Sequence, residues 1–190
     1  MKRNNNRAVK FLNEIAAGSN WNRKLMITPV AALIYFTITA LFIIVPLLIE
    51  RTLNIQVIMF NPWNLVIAIL MIAPGVFYML WSVFEFLKVK GTPVPFNPPP
   101  VLIAKGPYKY SRNPMTSGLF LLMFGLGILL GSILLSFVFV PLYALFHYFL
   151  LKNVEEPELE MRLGESYKEY KSRVPMFFPW KKIKTNLQAS

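Results

Sequence analysis

Groups able to do chemistry are few in this 190-residue chain, which has no Cys, no Asp and a single His, His147. That excludes disulfides, thiolate metal sites, cysteine nucleophiles, an Asp-assisted triad and a multi-histidine metal centre within one chain. What remains is Glu, Tyr, Arg, Asn, backbone groups or a reactive cofactor. Tyr108, Tyr110 and Arg112 are packed between the rigid turns Gly106-Pro107 and Asn113-Pro114. Glu155 and Glu156 are adjacent at the mouth of a long apolar segment. A carboxylate partly shielded from water accepts hydrogen bonds from a ribose diol or pairs with a cation. His147 lies inside that segment about one turn from its end, where it reads equally as a functional group or as a neutral partner for a neighbouring helix or headgroup. Glu85 has the same two readings, with snorkelling or pairing to a basic residue the better one.

The elements that must position these groups are apolar. The chain is 55% hydrophobic and 15% charged, yet its formal charge is +11. A soluble domain carries about a quarter charged residues. Residues 28–49 hold no charge, enough to cross about 30 Å of hydrocarbon at roughly 1.5 Å per residue and too long for the core of a cleaved signal peptide. A second span is expected over about 62–84, with Trp63 and Trp81 near its ends and a kink at Pro74-Gly75. Residues 115–151 are uncharged throughout and too long for one crossing, so they are expected to fold back as a hairpin at Gly131-Ser132. The expected fold is all-α integral membrane: about four transmembrane helices, the last two a hairpin, with a cytoplasmic C-terminal amphipathic helix.

Charge placement supports that arrangement. Nineteen of the 20 cations fall in the N-terminal tail, the central loop and the C-terminal segment, and only Arg51 falls on the other side. The positive-inside tendency makes both termini and the site cytoplasmic. The basic excess is therefore a topology signal with attraction to anionic headgroups, and nucleic acid is not an expected partner. The chain divides into a basic tail with an interfacial helix near Arg7–Ala17 (1–26), two spans (27–90), a site-bearing region (91–180) and a second basic tail (181–190).

Pro93, Pro95, Pro98, Pro99 and Pro100 demand an extended connector before the Tyr/Arg block. After the hairpin, Leu159, Leu163, Tyr167 and Tyr170 form one stripe of an amphipathic helix. Glu158 and Glu160 read there as a solvated first turn favoured by the helix dipole. Gly125, Gly127 and Gly131 follow no strand and match no nucleotide-binding loop. They read as close helix packing, Gly127 and Gly131 at small-xxx-small spacing and Gly131 also in the turn.

Gly106-Pro-Tyr-Lys-Tyr-Ser-Arg-Asn-Pro114 resembles the Gly-x-Tyr-x-x-x-Arg-His-Pro block of isoprenylcysteine carboxyl methyltransferases and the related integral-membrane phospholipid methyltransferases. Glu155-Glu156 followed by Leu163-Gly-Glu-Ser-Tyr-Lys-Glu-Tyr-Lys-Ser-Arg-Val-Pro175 resembles their C-terminal block. The resemblance covers about 91–179 and implies S-adenosylmethionine as cofactor and a membrane lipid or lipidated substrate. By position it places Pro100, Val101, Leu102, Ile103, Tyr108, Asn113, Pro114, Met115, Thr116 and Glu155 at the cofactor. Arg112 would orient the cofactor carboxylate or a substrate anion, and Glu156 neighbours the site. Many members have His at position 113 and Tyr at position 116, where this chain has Asn and Thr.

The expected function is thus S-adenosylmethionine-dependent methyl transfer, either isoprenylcysteine-type carboxyl O-methylation or N-methylation of a phospholipid or other lipid amine. A carboxylate acceptor is already ionised, whereas an amine must lose a proton, with Glu155, Glu156 and His147 as the available acceptors. No metal is required. The contrasting expectation is a catalytically silent membrane scaffold that keeps the fold, and neither reading fixes an oligomeric state.

Overall fold

The computed structural model describes residues 21–55, 62–89 and 101–178. The interfacial helix near Arg7–Ala17, most of the proline connector including Pro100, and the basic tail 181–190 lie outside the described residues. Within them the chain is helical, with no strand: α1 (Trp21–Thr52), α2 (Pro62–Lys88), a short 3₁₀ turn (Gly106–Lys109), α3 (Pro114–Leu129), α4 (Leu135–Leu163) and α5 (Glu165–Arg173). Pro62 and Pro114 each open a helix, where the missing N–H would have had no partner anyway.

Three described helices are long and apolar enough to cross a membrane: Ala32–Thr52 within α1, α2 and α4. The fourth expected span, α3, is apolar but has only 16 residues, about 24 Å. Its hairpin with α4 forms where expected, Gly131 taking a φ of 69° that a side chain would strain. The start of α4 is held from outside: Ser132 Oγ accepts from the Leu135 amide at 3.0 Å, and Glu50 Oε1 at the end of α1 accepts from the Leu134 amide at 2.8 Å. Glu50 therefore sets the end of α1 beside the hairpin turn.

The pairing of α2 with α3 depends on small residues seven apart. Ala68, Gly75 and Ser82 line the buried face of α2, and Gly118 and Gly125 answer from α3. A Cβ on Gly118 would stand 2.6 Å from the Gly75 carbonyl oxygen, and one on Gly75 would stand 2.7 Å from that of Gly118. Backbones this close gain dispersion contact that lipid chains cannot match. The close-packing role expected of Gly127 is met within the hairpin. Gly127 faces the returning limb, where a Cβ would fall 2.3 Å from Ser136 Oγ, while Gly131 serves the turn. Pro74 does not interrupt α2, which stays helical through Lys88.

A buried core of Leu119, Phe120, Met123, Leu135, Val140 and Tyr143 joins α3 to α4, and Tyr35, Phe42 and Ile43 pack on it from α1. The Thr39 and Tyr143 hydroxyls meet at 2.6 Å, so α1 is tied to α4 by a polar contact as well.

The C-terminal helix departs from expectation. No separate amphipathic helix begins at 154, because α4 continues through the expected exit to Leu163 by way of a π-turn at Leu151–Glu155. The wider turn absorbs Pro157, which has no N–H to give. The break comes at Gly164, at φ 60° and ψ −136°, a conformation open essentially to glycine. At 29 residues α4 measures about 44 Å, so part of it must lie beyond about 30 Å of hydrocarbon.

Candidate active site

The end of the bundle opposite Glu50 gathers both sequence blocks. Gly106 starts the 3₁₀ turn at φ 57°, and a Cβ there would stand 2.9 Å from Glu85 Oε1. Only glycine lets this turn lie against the end of α2. Glu85 itself is buried and pairs with Lys88 at 2.6 Å, as its second reading required. The turn delivers Tyr108 into the interior, edge-on to Phe86 at 5.7 Å with its hydroxyl bonded to Ser82. Burial raises the pKa of that hydroxyl; the Ser82 bond opposes the rise, and Glu155 and Glu85 add to it. Tyr108 is thus a neutral donor at any physiological pH.

The second block closes over the first. The Arg112 amide donates to the Pro175 carbonyl at 2.9 Å and the Asn113 amide to that of Met176 at 3.1 Å. Ser111 Oγ and Asn113 Nδ2 also donate to the Met176 carbonyl, and Ser117 Oγ donates to that of Phe177. From α5 the Tyr170 hydroxyl donates to the Tyr108 carbonyl at 2.7 Å. The expected stripe Leu159, Leu163, Tyr167 and Tyr170 packs together with Val174, Leu102 and Ala104. The two blocks, about forty residues apart, form one unit.

Arg112 is the charge at its centre. Its side chain is nine-tenths buried, and Nη2 pairs with Glu156 Oε1 at 2.8 Å. Glu156 Oε2 takes Lys171 at 2.7 Å, and Lys171 also pairs with Glu160 at 2.8 Å. Arg112 Nε and Nη1 are buried without a hydrogen-bond partner among the described residues. Unpaired guanidinium donors cost free energy in the protein alone, and each suits an added acceptor such as an anion's oxygen.

Of the other expected site residues, Glu155 is half-buried one position before the pair and has no hydrogen bond or ion pair with any described residue. Leu102, Ile103, Met115 and Thr116 are half-buried and Val101 is exposed. Pro114 is fully enclosed, so its part is to start α3. Asn113 commits its side-chain amide to Met176. Glu158 corrects the expectation of a solvated first turn: it is buried and paired with Arg162 at 2.8 Å, because α4 is continuous here and this face turns inward. His147 is buried within α4 among four rings.

Lys171, Tyr170 and Ser82 were not among the expected site residues. The spacing of the two tyrosines from Leu159 and Leu163 was a usable signal for Tyr170. Nothing local marks Lys171 or Ser82, which matter only through residues far away in sequence.

The phospholipid methyltransferase family model matches residues 63–166, more than half of the chain. The chain belongs to that family. The match runs from the first turn of α2 through both glycine-lined helices, the Arg112 loop and the Glu155-Glu156 pair to the start of α5. It leaves out α1, which supplies Thr39 and Tyr35, and the segment 174–178 that closes over Arg112. No curated protein and no solved structure matches the chain. Family and apolar helices together make this a methyltransferase-type membrane protein.

Proposed function

We propose that the chain uses S-adenosylmethionine to methylate the headgroup of a membrane lipid, at a pocket on the cytoplasmic face between the end of α2, the Arg112 loop and the late turns of α4. In this reading α3 is the fourth crossing, and both termini lie on the pocket's side, where the cations concentrate. The observation that carries it is Arg112: a buried guanidinium, held by Glu156, with two donors left for a ligand.

The residues fit the cofactor's groups. Arg112, through one of its unpaired donors, would hold its carboxylate, Glu155 its ribose diol, and Leu102, Ile103, Met115 and Thr116 its apolar parts. When bound, the cofactor supplies an electrophilic methyl on a sulfonium. The chain's own task is to align the acceptor behind that methyl and exclude water, which costs no metal and no covalent intermediate. Glu156, locked between Arg112 and Lys171, keeps the guanidinium in one orientation rather than touching the reacting atoms. The exposed apolar flanks of α1 and α2 let a lipid headgroup enter sideways while the cofactor enters from water.

Among acceptors, a phospholipid amine fits best, because the matching family model is that of phospholipid methyltransferases. The test is calorimetry in detergent with S-adenosylmethionine and its demethylated product, then labelled-methyl transfer into a lipid extract. Saturable binding and a base-stable methylated lipid support the reading. A base-labile product establishes carboxyl O-methylation instead, and no binding leaves the scaffold.

A further inference from the structure

His147 is a buried titratable side chain that the site described above does not use. It lies in the middle of α4 at 4% exposure. Nδ1 is 3.1 Å from the Tyr143 carbonyl, which can only accept, so Nδ1 carries the ring proton. Nε2 is then a bare lone pair, and it is buried with no hydrogen-bond partner among the described residues. Leaving such an acceptor unmet costs stability, and at membrane depth no water relieves it.

The neighbours explain why no described residue answers it. The ring is walled by Tyr143 at 4.3 Å, Phe146 at 5.5 Å, Phe120 at 5.9 Å and Tyr35 at 6.0 Å. Phe120 and Phe146 carry no donor. The Tyr143 hydroxyl is engaged with Thr39 at 2.6 Å and also bonds Tyr35. These two hydroxyls are the titratable groups facing the ring, and the nearest acid of the pocket on its own helix is Glu155, two turns on.

The position adjoins the pocket. Phe120 is one turn beyond Thr116 on α3 and bridges His147 to Phe177 at 5.3 Å. Phe177 in turn receives the Ser117 hydroxyl on its carbonyl. Tyr35, which touches the His147 ring, also lies within electrostatic reach of Glu155. The bare nitrogen is thus one layer of rings away from the segment 175–177 that closes over Arg112 and Asn113.

We propose that His147 Nε2 is the proton acceptor for the methyl acceptor, taking the proton that an ammonium headgroup must lose before its nitrogen can attack. This rests on the lipid-methyltransferase reading above. The proton moves from the ammonium nitrogen to Nε2. The freed lone pair forms the new nitrogen–carbon bond as the carbon–sulfur bond of the methyl donor breaks, its electron pair staying on sulfur. The imidazolium, walled by uncharged rings, returns its proton to water once the product leaves. A carboxylate acceptor would have no proton to give and no use for this nitrogen.

The single histidine makes the test direct. In untagged protein labelled with ¹⁵N-histidine, one imidazole reports, and in phosphatidylcholine micelles it should show the Nδ1–H form with a bare Nε2. Adding phosphatidylethanolamine, which carries N–H donors, should move the Nε2 resonance toward the hydrogen-bonded or protonated position. His147→Gln should lower methyl transfer at least about a hundredfold, with affinity for the demethylated cofactor unchanged. Identical spectra in the two lipids, or full transfer by His147→Gln or His147→Phe, overturns the proposal. Wild-type protein that binds no cofactor or methylates no lipid overturns the underlying reading. Wild type that methylates phosphatidylethanolamine with an unmoved Nε2 overturns this inference alone.

Discussion

Arg112 Nη2 lies 2.8 Å from Glu156 Oε1, and both side chains are at least nine-tenths buried although 44 positions separate them in the chain. The pair joins the loop before α3 to the far end of α4, and removing one charge leaves the other unmatched in a poorly solvated place. Glu156→Gln should cost about 3 kcal/mol, read as a lowered unfolding temperature in detergent. Arg112→Met with Glu156→Met should recover part of that loss while abolishing cofactor binding. A double variant that still binds would remove Arg112 from the site.

Glu155 should behave differently from its neighbour. It has no ion pair with any described residue, so Glu155→Gln should leave insertion and thermal stability unchanged. Cofactor affinity should fall about tenfold, the scale of one charge-assisted hydrogen bond. Calorimetry with the variant and wild type side by side is sufficient, and equal affinities would exclude Glu155 from the pocket.

The glycines divide into two kinds. A Cβ on Gly118 meets the α2 backbone at 2.6 Å, whereas one on Gly164 meets nothing within 4 Å and suffers only from its φ of 60°. Gly118→Leu should therefore disrupt the α2–α3 pair and sharply reduce folded yield. Gly164→Ala should cost about 2 to 3 kcal/mol and leave the hairpin intact. Thermal melts of both variants check the contrast.

The closure by α5 should be sensitive to alkali. Burial raises the pKa of the Tyr167 and Tyr170 hydroxyls, with Glu156 adding to the rise at Tyr167 and Tyr108 at Tyr170. Burial works against the Lys171 ammonium, but its bonds to Glu156 and Glu160 outweigh this and raise its pKa. All three groups hold their protons to higher pH folded than unfolded, so their contribution is complete below the ordinary values of 10.0 and 10.5 and is lost as pH rises beyond them. Limited proteolysis after α4 should accelerate above about pH 10 and stay flat from about pH 8 to 9.

Topology has its own test. The native chain lacks Cys, so Asn54→Cys, just past α1, should label only from the face opposite the pocket. Labelling from the pocket's side would invert the proposed orientation.

Much of the fold was legible in the residues because lipid imposes length and polarity rules that read directly along the chain. The uncharged runs marked the helices, and Gly131-Ser132 marked the hairpin turn. The π-turn that carries α4 through Pro157 was not legible, since hydropathy falls at Lys152 although no hydrogen-bonding group forces the helix to stop. The seven-residue spacing of Ala68, Gly75 and Ser82 was present in the sequence, but its meaning requires the matching Gly118 and Gly125 on another helix.

For the site, residue types alone restricted the chemistry: without Cys or Asp and with one His, Glu, Tyr, Arg, Asn, backbone groups or a reactive cofactor remained, and two short blocks marked where. Only the tertiary structure decided how those blocks divide the work. It locked Glu156 between Arg112 and Lys171, left Arg112 Nε and Nη1 free, and set His147 Nε2 bare among rings from three helices. Sequence determines which groups exist and how far each helix can reach. Whether a buried donor or acceptor is satisfied depends on partners dozens of residues away, and that is settled only when the helices pack.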